Sequence, residues 1–284
     1  MKKITTFGLC LALLTTTIAT PLQAAQERVI SAGSAVTELI LALKAEQSLI
    51  AIDVTSQLPD GLVLPKIGYH RRLSAEGLLA LSPTKLIGSD EMGPAPVLQQ
   101  LKSTGVQIDV VNTDANVEGL KARIDQIATI LHKTEEANEL KAMVDRQIGS
   151  LEGNQPTQQN KKKVLFLLIH EGRAANVAGN ETTPNAIINL AGAINPAADK
   201  ITSYKPLSSE AMVEMQPDVI LVSGRSYEKL GGPEAIMKMM PLLAATPAGK
   251  NKQIITIDGS ALVGGLGLKS LAEAKRLNQL LYIQ

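Results

Sequence analysis

The chain has 284 residues, 28 Lys and Arg against 27 Asp and Glu, and a formal net charge of +1. With no basic block beyond Lys161-Lys162-Lys163, this balance argues against a nucleic-acid surface, which needs a clustered basic face. The length exceeds that of one ordinary domain and points to two lobes of roughly 100–130 residues, each able to bury its own core.

Residues 1–24 begin with Lys2 and Lys3, pass through the apolar Leu9-Cys10-Leu11-Ala12-Leu13-Leu14 and end on the small-residue Leu22-Gln23-Ala24. That is the pattern of a secretory signal peptide, cleaved near Ala24 or Ala25. Cys10 is the only cysteine and lies inside this segment, where Phe7-Gly8-Leu9 does not suit lipidation. The expected product is a soluble exported protein without disulfides, located in a bacterial periplasm and held together by a conventional core. No apolar run after residue 24 approaches the ~20 residues of a membrane span.

From Arg28 strands and helices alternate: Val29-Ile30-Ser31, a helix from Ser34 to Lys44, then Leu49-Ile50-Ala51-Ile52-Asp53. This alternation begins an α/β domain. A loop with Pro59, Gly61, Pro65 and Gly68 leads to Tyr69, followed by a short helix 75–81, a strand 85–88, a helix 95–104 and a strand 107–111. Loops at strand ends are where α/β domains place ligand groups. Across 116–152, Leu120, Ile124, Ile127, Ile130, Leu131, Leu140, Met143, Val144, Ile148 and Leu151 keep helical spacing, which predicts one long helix kinked near Lys133-Thr134. A loop through Asn160 follows, and Val164–Ile169 reads as a buried strand ending on His170-Glu171-Gly172-Arg173. Helices 184–191, 209–215, 233–240 and 268–282 and strands 218–222 and 253–257 complete a second lobe. The expected fold class is α/β: two Rossmann-like lobes, each with a central sheet, joined by one long linker helix with a ligand cleft between them. The boundaries are 1–24 signal peptide, 25–115 first lobe, 116–160 linker helix and loop, and 161–284 second lobe.

The two lobes echo one another in sequence. Leu73-Ser74-Ala75-Glu76 through Pro83 aligns without a gap against Leu207-Ser208-Ser209-Glu210 through Pro217, at a constant offset of 134 residues (207 less 73). An offset that long suits two similar lobes rather than a solenoid. Ser74 and Ser208 sit as helix N-caps, so Glu76 and Glu210 fall in first helical turns, where the dipole favours a carboxylate. The two glutamates are also placed to act as symmetric acidic knobs toward a two-subunit membrane partner.

Ahead of the first copy stand Gly68-Tyr69-His70-Arg71-Arg72. A tyrosine phenolate ligates ferric heme iron. Neighbouring cations help a phenol ionise, and Arg71 and Arg72 can do this or pair with carboxylates through two parallel hydrogen bonds. The same local pattern equally fits a packing tyrosine beside a solvated charge pair. His170, at a strand end, is a candidate second iron ligand or a loop-bonding histidine; Arg173 and Arg225, in strand-end loops of the second lobe, are candidate carboxylate binders. Catalytic templates fail: His170-Glu171 is not part of a His-Glu-x-x-His, and neither a Gly-x-Ser-x-Gly nor a phosphate loop occurs. Gly264-Gly265-Leu266-Gly267 lacks the spacing of a dinucleotide site. With histidines only at 70, 132 and 170, a multi-histidine metal cage has too few ligands.

With its leader, paired lobes and matched glutamates, the chain resembles the helix-linked class of periplasmic substrate-binding proteins of ABC importers, whose ligands include cobalamin, ferric siderophores and heme. Gly68-Tyr69-His70-Arg71-Arg72-Leu73-Ser74-Ala75-Glu76-Gly77 resembles the heme-binding branch, which carries a Gly-Tyr-x-Arg-x-Leu-x-x-Glu-Gly pattern. The resemblance implies a monomeric binding protein, not an enzyme, that carries heme as transported ligand, one or two per chain. It implies Tyr69 as axial iron ligand with Arg71 as companion, and Glu76 and Glu210 docking to the permease of a permease–ATPase complex in the inner membrane. It extends to His170 the part of a second heme ligand, and gives His70, at the variable position of the motif, no role. Without tryptophan, the chain fits an aromatic-lined cobalamin or siderophore pocket less well, and Leu, Met and Val are expected to face the porphyrin. The alternatives are a ferric siderophore or cobalamin carrier, or an exported α/β enzyme.

Overall fold

In a computed structural model the described residues are 27–169 and 172–283; the leader and His170 lie outside them. The first lobe contains β1 (Val29–Ala32), α1 (Ser34–Ala42), β2 (Leu49–Ile52), α2 (Ala75–Leu79), β3 (Lys85–Ser89), α3 (Ala95–Ser103) and β4 (Gln107–Val111). Its sheet is parallel throughout, in the order β2-β1-β3-β4. Strands covered on both faces need near-continuous apolar runs, and β1 and β3 supply them: Val29, Ile30, Leu86 and Ile87 are fully buried.

Next come α4 (Val117–Leu131) and α5 (Thr134–Gly153). The sequence predicts one kinked helix here, and the structure reverses the chain instead. His132 takes a left-handed conformation (φ 56, ψ 44), one that histidine tolerates better than most residues, and ends α4. The two helices then run antiparallel, which the ion pairs Lys121 with Asp145 and Lys141 with Asp125 record. Leu120, Ile124 and Ile127 of α4 share one core with Leu140 and Val144 of α5. Both helices carry the same apolar period and a single residue interrupts it, so the reversal reads in sequence as a kink. Helix α5 packs at once against α4 and against the second-lobe helices Thr183–Leu190 and Leu268–Tyr282.

The second lobe holds β5 (Val164–Leu168), β6 (Asn176–Ala178), α6 (Thr183–Leu190), β7 (Tyr204–Pro206), α7 (Ser209–Glu214), β8 (Val219–Ser223), α8 (Gly224–Leu230), α9 (Pro233–Met239), α10 (Pro247–Lys250), β9 (Ile254–Ile257) and α11 (Leu268–Tyr282). The sheet order is β7-β6-β5-β8-β9, with β5, β8 and β9 parallel and β6 and β7 antiparallel. The parallel triplet β5-β8-β9 repeats β1-β3-β4, and α7 precedes β8 as α2 precedes β3. The three-residue strands β6 and β7 are too short to show a period in sequence, and Pro206 at the end of the edge strand β7 is tolerated there.

One apolar core runs through both lobes, taking in α1, α4, α5, α6 and α11. At the seam, Ala35 N–H donates to the Val263 carbonyl (3.2 Å), and the fully buried Arg123 donates through Nη1 to the Leu266 carbonyl (2.7 Å). The Glu38 carboxylate accepts the Leu268 and Lys269 N–H groups (2.6 and 3.1 Å), capping α11; burial pushes its pKa up to about 7 against those two bonds. The Gly264–Gly267 segment finds its explanation here. A Cβ on Gly265, whose φ is +88, would collide with the Arg123 guanidinium and the Thr113 carbonyl, so this glycine serves lobe packing rather than a nucleotide.

Candidate functional site

The site grows from the chain that leaves β2. Asp53 is fully buried at the strand end, and the following loop doubles back: Val54 N–H donates to the Gly68 carbonyl and Ile67 N–H to the Ile52 carbonyl, both at 2.9 Å. Gly68 takes φ +87, a conformation that glycine adopts at little cost, and hands the chain to Tyr69. Residues His70–Arg72 form one 3-10 turn, closed by Arg72 N–H to the Tyr69 carbonyl (2.8 Å). Two further bonds, Leu73 N–H to the Gly93 carbonyl (2.8 Å) and Gly93 N–H to the His70 carbonyl (3.0 Å), stitch this turn to the loop that follows β3. Ser74 then caps α2, its Oγ accepting from Gly77 N–H (3.4 Å).

His70 corrects the expectation that it has no role. Its ring is 1% exposed, with Nδ1 2.9 Å from Asp53 Oδ2 and Nε2 3.6 Å from Glu91 Oε2. The first is a hydrogen bond. The second is an ion-pair separation that leaves Nε2 without a hydrogen-bond partner. Asp53 also accepts from the hydroxyls of Thr55 (2.7 Å) and Ser56 (2.7 Å), and Ser56 continues through Thr37 to Ser31 (2.7 Å each). Burial opposes charge on both Asp53 and His70, yet these bonds and the mutual attraction outweigh it: the Asp53 carboxyl is held below its ordinary range and the His70 imidazole above its own. Glu91 is likewise held low, chiefly by His70, and its other oxygen pairs with Arg71.

Tyr69 packs its ring on that of His70, centroids 4.5 Å apart and planes tilted by 59°, and keeps 40% of its surface exposed. It lines a cleft of about 910 Å³ between the lobes, within the range of small-molecule sites. Facing it are Leu168 at the end of β5, Ser223 and Gly224 where β8 passes into α8, and Asp258 and Ser260 beyond β9. All lie at the C-terminal ends of parallel strands, the usual ligand side of such sheets. Val54, Leu168 and Val263 give the cleft its apolar walls; leucine and valine are there as expected, while methionine is not among the lining residues. Lys269 Nζ spans the lobes beside it, donating to Gln57 Oε1 (2.7 Å) and Ser260 Oγ (3.1 Å).

Arg71 and Arg72 are exposed in the turn after Tyr69, and Arg173 is exposed in the bend beyond β5. Arg225 stands in the first turn of α8, not in a loop, because α8 begins directly where β8 ends. Glu76 and Glu210 are exposed in the first turns of α2 and α7; hydrogen bonds from its own N–H and from Ser208 hold the Glu210 carboxyl below its ordinary range. Sequence reasoning missed Asp53 and Glu91, which hold His70, and Lys66, which lines the cleft. Asp53 and Glu91 stand just beyond β2 and β3, so a strict strand-end rule finds both, whereas Lys66 in the long loop carries no such mark.

The sequence profile of the periplasmic binding protein family matches residues 29–261. The chain belongs to that family. The periplasmic heme-binding protein HutB of Vibrio cholerae is 63% identical, with a TM-score of 0.86 over 91% of this chain and 100% of its own. Periplasmic heme-binding protein RhuT of Roseiflexus sp. RS-1, solved in apo form, is 34% identical, with a TM-score of 0.85 over 90% of this chain and 98% of its own. BhuT, solved with two hemes, is 33% identical, with a TM-score of 0.81 over 90% and 97%. Among characterised sequences, the vitamin B12-binding protein of Pectobacterium atrosepticum is 26% identical over 77% of this chain and 78% of its own. As a periplasmic binding protein the chain has the two α/β lobes of its neighbours, and among its described residues no helix is long and apolar enough to cross a membrane.

Proposed function

We propose that this periplasmic binding protein captures heme in the cleft between its lobes and delivers it to an ABC permease and ATPase complex for heme and iron uptake. The observation that carries this reading is the position of Tyr69: it stands in the stretch that departs from the repeated scaffold, it is of a type that ligates ferric heme iron, and it lines the cleft. The 63% identity to a heme-binding protein supports heme over cobalamin, whose binding proteins are 26% identical. In this reading Tyr69 is the axial ligand and Arg71 and Arg72 meet the propionates, as bidentate partners of carboxylates. Arg173 and Arg225 are the corresponding cations of the second lobe. His170 is the candidate ligand of a second heme, a stoichiometry that one neighbour displays. Glu76 and Glu210 dock on the permease, the binding protein acts as a monomer, and the leader is removed near Ala24.

Absorption titration of the mature protein with ferric heme tests the reading. A saturable Soret shift with a high-spin tyrosinate-type spectrum is expected, and Tyr69→Ala should abolish it or weaken it strongly. An unchanged spectrum in Tyr69→Ala removes the ligand assignment, and no heme binding at all would favour the cobalamin or siderophore reading. Two hemes per chain falling to one in His170→Ala would support the second ligand.

A further inference from the structure

The carboxylate of Glu91 has no part in heme capture as proposed, yet it is the anion paired with Arg71, a cation that a heme propionate would seek. It pairs with Arg71 through one oxygen and stands 3.6 Å from His70 Nε2 through the other. Both cations belong to the turn that carries Tyr69, and Tyr69 lines the cleft. Tyr204 of the second lobe, itself packed edge-on against Phe166, lies close enough to feel both charges: desolvation and Glu91 push its phenol up while Arg71 pulls it down. The Arg71–Glu91 pair thus sits on the turn that presents Tyr69 to the cleft.

The surrounding groups differ in how firmly they are held. Asp53 is fully buried and accepts from Thr55, Ser56 and His70, so it cannot leave. His70 is fixed by Asp53 at one nitrogen, and its other nitrogen is buried without a hydrogen-bond partner. Glu91 rides on a short turn and keeps 33% of its side chain exposed, against 52% for Arg71. Half-exposed ion pairs of this kind contribute little net stability; Glu91 engages Arg71 through Nη2 alone, and a two-bond fork to a ligand carboxylate that uses Nη2 competes with it for that nitrogen.

We propose that Glu91 is a displaceable placeholder for a ligand carboxylate: it occupies Arg71 in the empty cleft and yields to a propionate of the incoming porphyrin, so that porphyrins without free carboxylates gain nothing by displacing it. This rests on the reading of the cleft as a porphyrin site. Glu91 then acts as a specificity residue. It lowers affinity for every carboxylate ligand by the fraction of time that it holds Arg71, and it keeps an unpaired cation from attracting other anions while the cleft is empty.

The probes are iron-free protoporphyrin IX, a dicarboxylate, and its dimethyl ester, each titrated by fluorescence against the full mature chain. Neither contains iron, so the outcome does not depend on Tyr69 as a ligand, which the heme titration of Tyr69→Ala tests separately. Glu91→Gln should bind the dicarboxylate about tenfold more tightly, a tax of that size being lifted when a competing state is removed, and should bind the ester unchanged. In an Arg71→Gln background, Glu91→Gln should have no further effect on either probe. Glu91→Ala is the second variant should the glutamine misfold, with the same expectation. Equal affinity of wild type and both Glu91 variants for the dicarboxylate, or an equal gain for the ester, overturns the proposal. Failure of the wild-type chain to bind the dicarboxylate while it still binds ferric heme overturns the proposal and leaves the heme reading standing; failure to bind ferric heme as well removes both.

Discussion

Helices α2 and α7 are the same element used twice, and the chain leading into each is not. Both are capped by a serine, Ser74 accepting from Gly77 N–H at 3.4 Å and Ser208 from Ala211 N–H at 3.3 Å, and both expose a glutamate in the first turn. Ahead of α2, Tyr69-His70-Arg71-Arg72 forms a turn locked to Asp53 and to the loop after β3. Ahead of α7, Tyr204-Lys205-Pro206 is the edge strand β7, paired antiparallel with β6. The shared part is scaffold; the unshared part can differ in chemistry without disturbing it. In this protein the unshared part of the first lobe carries a buried charge network, and that of the second carries backbone pairing.

The largest expected effect separates the two tyrosines. Tyr69→Ala should lower heme affinity by more than the roughly 10–100-fold typical of outer-shell partners of a metal and remove the tyrosinate spectrum. Tyr204→Phe, which keeps the ring against Phe166, should leave that spectrum intact. The same spectral loss in Tyr204→Phe would mean that the lobes share the ligand role, and the asymmetry would fail.

The two glutamates should behave alike. Reversing both, Glu76→Lys with Glu210→Lys, should reduce heme uptake by whole cells at least about tenfold, since like charges across an interface are strongly unfavourable, while heme affinity of the purified protein stays the same. One reversal should act about as strongly as the other. Normal uptake would leave both residues with only their helix-terminal role.

The lead into α2 should also be the more costly to damage. Asp53→Asn removes one partner of a buried ion pair and should destabilise the fold by about 3 kcal/mol in denaturant unfolding, whereas Lys205→Gln on the exposed strand β7 should fall within ~0.5 kcal/mol. The pH dependence follows from the two shifts. Asp53 is depressed, so its contribution is lost as pH falls through its folded value, below the ordinary carboxylate range. His70 is raised, so its contribution is complete below about pH 6.5 and lost as pH rises through its higher folded value. Wild type should thus lose stability on both sides of mildly acidic pH, and Asp53→Asn should flatten both limbs. A variant with the same two limbs as wild type would place the pH dependence elsewhere.

Much of this frame is legible in the sequence because it depends on local periods. The uninterrupted apolar runs of β5 and, up to Val222, of β8 read as buried strands, and the Leu-Ser-x-Glu repeat marks α2 and α7. Tyr69 is legible for a different reason, as the chemically unusual residue in the part of the repeat that does not match. What escapes is set by distant partners. His70 looks dispensable in sequence because Asp53 is 17 residues away and Glu91 a further 21 past it; only the fold closes that triangle. The reversal at His132 escapes because one backbone conformation decides it and the apolar period runs on unchanged. The Gly264–Gly267 segment misleads for a related reason: Gly265 answers to Arg123 and Thr113, and Gly267 to Glu38, in the other half of the chain.

The smallest effect tests whether the shared scaffold is energetically as well as geometrically equivalent. Ser74→Ala and Ser208→Ala each remove a hydroxyl that satisfies an otherwise free N–H of the first turn, and each should cost about 1 kcal/mol in denaturant unfolding. The two helices are short, five and six residues, so neither has enough internal hydrogen bonding to hide the loss. Any difference between them should come from what precedes the cap. The turn ahead of Ser74 is pinned by two backbone bonds to Gly93 and by His70 to Asp53, so the chain entering α2 stays in place when the cap is lost, and Ser74→Ala should be the milder of the two. The chain ahead of Ser208 is held by the β7 ladder and, at Leu207 N–H, by the Ala175 carbonyl at 3.2 Å, a hold made of backbone pairing at a sheet edge. A larger loss in Ser74→Ala would mean that the cap is part of the network that fixes Tyr69, and heme affinity would then fall in that variant and not in Ser208→Ala.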